Sequence, residues 1–240
     1  NSLAALAGVY NGLFDRTSAG GANSSLETTA GFLGNCVIKA NGRYTARLAC
    51  AGRHYSTSGT FNAKGDATEV VSRRNAGLPS LHIVLHVESA FGTGRITGLV
   101  SNMDAADPWV AALTACLSTN AFPPTTNILV LQPLAMDPSG RAPDHGTGVL
   151  TVATDGMVSL VGRFGDGTLF AQTVPIAGDA SFPVYVSLSR QSGLLTGWMN
   201  LAGGIPAGNL NWIRAPRPEA APAARKEVAH VLQIVPVPAR

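Results

Sequence analysis

The residues with the most chemistry in a compact pattern are His82, His86 and Glu88, in the run Leu81-His82-Ile83-Val84-Leu85-His86-Val87-Glu88. If the run is a strand, these three share one face, and same-face neighbours in a strand stand about 7 Å apart. A pair of them could hold a metal only with bent geometry, and no third ligand is evident. The pattern reads as the polar outer face of a strand whose Leu81, Ile83, Leu85 and Val87 face a core. Asp144, Asp155 and Asp166 are carboxylates of the kind that bind calcium or serve a hydrolase. Each lies at a glycine-rich turn, where an Asp side chain normally bonds the backbone two residues on. Tyr10, Tyr44, Tyr55, Tyr185, Trp109, Trp198 and Trp212 could form a sugar-stacking platform if several were exposed together; core packing is their commoner use. No nucleophile elbow, phosphate loop, dinucleotide fingerprint, zinc-protease helix or EF-hand loop is present. The expectation is therefore a non-enzyme, with no catalytic residue, no metal and no cofactor; Glu88 or Asp166 would carry the weaker hydrolase reading.

These side chains would have to be positioned by short strands. The chain has 240 residues, 27 of them Gly and 15 Pro, and only 13% are charged. Soluble domains usually carry roughly 25% charged residues. A surface covered instead by Ser, Thr and Asn suits an extracellular β protein. The net charge of +3 is small and scattered and implies no nucleic-acid partner. No apolar run reaches the roughly 18 residues of a membrane helix.

Turn and strand signals divide the chain into two related halves, all-β and antiparallel. In the first, Asn41-Gly42 is a two-residue hairpin turn joining Thr28 to Ala40 with Arg43 to Ala49. Strands follow at Tyr55 to Phe61, Ala67 to Arg73, Leu81 to Glu88, Arg95 to Ser101 and Trp109 to Cys116. In the second, Asp155-Gly156 is the matching turn. Pro183 to Leu188 parallels the Leu81 strand, Gly193 to Leu201 parallels the Arg95 strand, and Trp212 parallels Trp109. The expected core includes Leu81, Ile83, Leu85, Val184, Val186 and Leu188. The halves span 1–122 and 123–214 and form a β-barrel or a pair of barrel-like sheets in a meander. A Pro/Ala-rich linker at 215–226 and a C-terminal strand extension at 227–240 follow.

Cys36, Cys50 and Cys116 fit either small buried hydrophobes or one disulfide with a thiol left over. With Asn41-Gly42 as a two-residue turn, Cys36 and Cys50 point to opposite faces, so that pair needs a bulge or a longer loop. Cys50–Cys116 and Cys36–Cys116 are equally compatible with the pattern.

Gly8-Val9-Tyr10-Asn11-Gly12-Leu13-Phe14, Gly59-Thr60-Phe61 and Thr97-Gly98 form a series that recurs in the second half. There it reads Asp155-Gly156, Gly162, Asp166-Gly167-Thr168, Phe182-Pro183-Val184-Tyr185-Val186-Ser187-Leu188 and Leu195-Thr196-Gly197-Trp198. The series resembles a tandem β-repeat of large secreted bacterial proteins, where it follows immunoglobulin-like or other surface modules. The resemblance covers about residues 6 to 214. Its motifs are turns, glycines and aromatics, and it implies architecture without assigning any site residue.

Val228, Val231, Leu232, Ile234, Val235 and Val237 make the tail too apolar for a free segment in water. It is expected to be a strand at a sheet edge, with a lean toward an edge of another chain. The sequence thus points to a non-enzymatic extracellular structural or assembly module, a subunit of a cell-surface polymer joined by strand addition. Its expected partners are copies of itself or neighbouring surface domains. The alternative is a carbohydrate- or ligand-binding surface module with a glycan as partner.

Overall fold

The computed structural model describes residues 2–16, 26–73, 77–88, 94–102, 107–135, 144–188, 193–214 and 228–237. The chain forms two compact units, residues 1–118 and 119–240. In the first, β1 (Gly8–Arg16), β2 (Gly31–Ile38), β3 (Arg43–Cys50), β4 (Arg53–Thr60), β5 (Asp66–Val71), β6 (Leu81–Glu88), β7 (Arg95–Asn102) and β8 (Trp109–Leu117) follow one another as a meander. In the second come β9 (Thr125–Pro133), β10 (Gly146–Val152), β11 (Met157–Arg163), β12 (Leu169–Pro175), β13 (Ser181–Ser187), β14 (Gly193–Asn200), β15 (Ala207–Arg214) and β16 (Val228–Pro236). Every pairing is antiparallel, and the Ala- and Leu-rich Trp109 segment is a strand.

The strand order is β4-β3-β2-β1-β8-β7-β6-β5 in one unit and β12-β11-β10-β9-β16-β15-β14-β13 in the other. Each sheet thus runs outward in both directions from a pair made by its first and last strands, and curls until its outermost strands approach. Both are nearly closed eight-stranded barrels. The one join missing from each ladder is the seam, β4 to β5 in the first unit and β12 to β13 in the second.

Alternation decides what fills them. In the first unit Tyr10, Phe14, Leu33, Leu48, Leu81, Ile83, Leu85 and Leu113 are buried in one core. In the second, Phe182, Val184, Trp212, Leu232 and Ile234 are buried. Of the core residues expected from the sequence, Leu81, Ile83, Leu85, Val184 and Leu188 are at most 4% exposed. Val186 is only half-buried, near the end of β13.

Three sequence readings need correction. The Asn41-Gly42 and Asp155-Gly156 hairpins are three-residue loops. The Lys39 N–H donates to the Arg43 carbonyl at 2.9 Å, and the Ala153 N–H to the Met157 carbonyl at 2.9 Å. Gly42 and Gly156 take positive φ (81° and 77°), as a type I turn followed by a left-handed residue requires. With that loop Ile38 lies opposite Tyr44, so Cys36, in phase with Ile38, faces the same core as Tyr44, Ala46, Leu48 and Cys50. All three cysteines are free and buried.

The second correction concerns how the halves match. The turns at Gly42 and Gly156 do correspond, each joining the second and third strands of its unit. Trp109 and Trp212 do not: Trp109 opens β8, an eighth strand, whereas Trp212 lies in β15, a seventh. Pro183 to Leu188 likewise matches β5 rather than the Leu81 strand, and Gly193 to Leu201 matches β6.

Third, the C-terminal segment is not an extension. It is ordered as a strand, as expected, but β16 pairs with β15 and β9 of its own chain, Leu232 opposite Leu210 and Ile234 opposite Leu131. The second unit accordingly runs to the end of β16, and the division between units falls at 118/119 rather than 122/123.

Candidate functional site

The two seams differ. In the first unit β4 has the sequence Arg-His-Tyr-Ser-Thr-Ser-Gly-Thr. Its short polar residues give the strand no apolar stripe to bury, and most of it is exposed or half-exposed. The Phe61 N–H donates to the Gly42 carbonyl on the β3 side at 2.9 Å. Because backbone direction alternates along a strand, odd-numbered residues of β4 face β3, and His54, Ser56 and Ser58 turn their N–H and C=O groups to the seam. On the other bank the Val87 N–H bonds the Gly65 carbonyl at 2.8 Å, so odd-numbered residues of β5 face β6 and Thr68 and Val70 face the seam. The seam is held at its turn end, where the Asn62 N–H donates to the Asp66 carbonyl at 2.8 Å. Beyond that point β4 and β5 share no ladder.

A groove of about 840 Å³ lies at this opening, lined by Tyr55, Thr57, Ser58, Glu69 and Val70 and, on the β3 side, by Arg47. Glu69 occupies the inward phase of β5, between Ala67 and Val71, which are both buried. Its carboxylate lies against Gly59, and a methyl group there would collide with it. Among the described residues Glu69 has no ion-pair partner. The hydroxyl oxygens of Tyr44 and Tyr55 are buried without a hydrogen-bond partner. Burial, then the charge of Glu69, then Cys36 push the Tyr44 hydroxyl well above its ordinary pKa. The Tyr44 ring packs on Phe61, centroids 5.0 Å apart.

In the second unit a side chain bridges the gap. Gln172 on β12 donates from Nε2 to the Pro183 carbonyl at 3.2 Å. Its Oε1 accepts from the Tyr185 N–H at 2.7 Å. The side-chain amide thus supplies to β13 the donor and acceptor that a neighbouring strand would present.

The residues singled out in the sequence lie elsewhere and do not converge. His86 Nδ1 is 2.7 Å from Asp66 Oδ1, and that hydrogen bond holds the Asp66 carboxyl below its usual range. His82 and Glu88 are half-buried on the same strand. Among the described residues no three His, Cys, Asp or Glu side chains could hold a metal together. Asp155 and Asp166 do turn chemistry, accepting from the Met157 and Thr168 N–H groups at 3.1 and 3.0 Å. Asp166 also faces Arg214 at 3.5 Å. Asp144 is exposed just before β10. Tyr10, Tyr44, Tyr185, Trp109 and Trp212 are buried, and Tyr55 and Trp198 are half-buried, so none joins an exposed platform. Trp212 stacks on Phe164 at 4.3 Å between centroids, with His230 on it at 5.6 Å. Val231 and Val237 are exposed and Val235 is half-buried, while Leu232 and Ile234 face the core of their own unit; Val228 opens β16 opposite Arg214. No protein-family model, curated protein or solved structure matches the chain.

Sequence reasoning missed the seam. The available signal was a carboxylate in the inward phase of Ala67-Thr68-Glu69-Val70-Val71, beside a strand with no apolar stripe.

Proposed function

We propose that this chain is a non-enzymatic structural module of a secreted, cell-surface protein. The observation that carries the reading is the repetition of a complete eight-strand order in two units, each closed by its own first and last strands. A unit that closes on itself and fills its own interior can be added in series without new contacts to stabilise it, which is how modular chains are lengthened. The low charge content and the resemblance to tandem repeats of secreted bacterial proteins support the same reading. Assembly with copies or neighbouring surface domains belongs to the proposal, but donation of the C-terminal strand does not, because Leu232 and Ile234 are built into the second core. Among the described residues no helix is long and apolar enough to cross a membrane.

Two measurements test this. Stretched between its ends in optical tweezers, the whole chain should lengthen in two steps of nearly equal size, one per unit. Antibody against the chain should label intact cells of its source. A single unfolding step, or labelling only after lysis, would sink the reading.

A further inference from the structure

We propose that the β4–β5 seam of the first unit is an acceptor site for an extended peptide strand of a partner, with a basic side chain of that peptide meeting Glu69. The proposal stands whether or not the chain is a surface module.

Its first support is the comparison between units. The Phe61 and Ile176 N–H groups make the same bond, to the Gly42 and Gly156 carbonyls at 2.9 Å. Counting back along β4 and β12 from these anchors, Thr57 stands where Gln172 stands. Asp66 and Ser181 likewise close the two seam turns, accepting from the Asn62 and Ala177 N–H groups at 2.8 Å. Counting forward, Thr68 and Val70 stand where Pro183 and Tyr185 stand. The second unit satisfies those edge positions with the Gln172 amide. The first has a threonine there, too short to cross the gap, and a groove in its place. Two unpaired strand edges facing one groove present donors and acceptors at the spacing of a strand ladder, which an incoming extended backbone can bond.

The second support is charge. Glu69 brings a carboxylate into the groove wall; Arg47 lines the same groove but makes no ion pair with it. The Tyr44 hydroxyl, close enough to feel that charge, is buried and unpartnered, as is that of Tyr55. A lysine or arginine from the peptide, pointing inward at every second position, offers a positive charge and several N–H donors to that group. The short walls of Ser56, Thr57 and Ser58 leave room for the peptide backbone to approach β4. Val70, 57% exposed on the outer phase of β5, offers an apolar surface to the peptide's outward residues.

The test uses the full chain and two acetylated, amidated heptapeptides, Thr-Val-Thr-Lys-Thr-Val-Thr and its counterpart with Glu at the centre. Backbone amide exchange is followed by NMR. In the free protein the Thr68 and Val70 amides should exchange fast while the Tyr185 amide is protected. The Lys peptide should slow Thr68 and Val70 and the Glu peptide should not. Thr57→Gln, which reproduces the bridge of the second unit, should slow both amides without peptide and abolish the peptide effect. Glu69→Gln should weaken the Lys peptide by about tenfold, as expected for one charge-assisted hydrogen bond lost, and remove the preference between the peptides. Should Thr57→Gln fail to fold, Val70→Pro serves instead: it deletes one edge donor without touching a ladder bond and should also abolish binding. The proposal is overturned if Thr68 and Val70 are already protected in the free protein, which would place a segment of the chain itself in the seam. It is equally overturned if the Lys peptide leaves them unprotected, or shifts only groove side chains as a small ligand would, or if Thr57→Gln binds as well as the parent.

Discussion

Cys36 and Cys50 show what burial does to single residues here. Their thiols are buried in the first core, and desolvation raises their pKa values to about 12 and about 11. A thiol that stays protonated is a poor nucleophile. In native protein at pH 8 a thiol reagent should therefore find these cysteines inert, and three thiols should react once denaturant is added. Fast native reaction of Cys36 or Cys50 would contradict their placement. The same shifts set a pH dependence. Burial also raises Tyr10 to about 12. With folded pKa values above the unfolded ones, the folded state holds more protons at alkaline pH, and stability falls as pH rises. The contribution is intact below about pH 8, where an unfolded thiol begins to ionise, and fades as pH rises toward the folded values of about 11 to 12. Chemical denaturation from pH 8 to 11 should show a falling midpoint. A second residue-scale expectation concerns Ala180, which takes φ of 65° in the loop where Gly42, Gly65, Gly156 and Gly167 occupy the matching place in sister turns. A left-handed non-glycine residue costs about 1–2 kcal/mol, and glycine's freer unfolded chain returns part of that. Ala180→Gly should raise stability by about 0.5–1 kcal/mol, read as an upward shift in the denaturation midpoint.

At the scale of the strand, alternation explains most of what the sequence disclosed. Leu81, Ile83 and Leu85 announced the inner face of β6 because nothing interrupts their period. Replacing Leu85 or Leu188 by Ala should cost about 2–5 kcal/mol, measured by denaturation. Asn41-Gly42 and Asp155-Gly156 announced two hairpins, but the dipeptide alone does not distinguish a two-residue loop from a three-residue one. The bonds Lys39 to Arg43 and Ala153 to Met157 do. Cys36 and Cys50 share a core because the longer loop moves the pairing by one residue, so their common face was no more legible than the loop length. Glu69 was visible as a letter, but its meaning depends on a missing partner strand, which no local pattern records. Gly12 illustrates closure by close approach: a methyl there would press into the Thr114 carbonyl and the Ala115 backbone of β8. Gly12→Ala should destabilise the first unit by about 1–3 kcal/mol and leave the second unit's unfolding midpoint unchanged.

The two-unit plan was legible at the scale of the whole chain, and its phase was not. The first half has eight strands before Pro123. The second shows seven before the Pro/Ala-rich stretch, and Val228 to Val237 is the eighth, set apart by sequence texture rather than by fold. Matching tryptophans instead of counting strands shifted the later correspondences by one. Truncation after Arg214 decides the point. It should remove one of two calorimetric transitions and move the emission of Trp212 to the red, because β15 and β9 both lose their partner. Retention of both transitions would show that β16 is dispensable.

The pairing of first strand with last also governs when each unit can form. Tyr10 meets Leu117 and Leu131 meets Ile234 across roughly a hundred residues of intervening chain, and contacts that distant in sequence form late. On the ribosome β1 to β4 and then β5 to β7 can zip by local hairpins as they emerge, but β1 keeps a bare edge until β8 arrives. The same wait then repeats for β9. Each unit thus spends most of its synthesis as an open, sticky sheet, and the nine residues of β16 end the second interval in a single step.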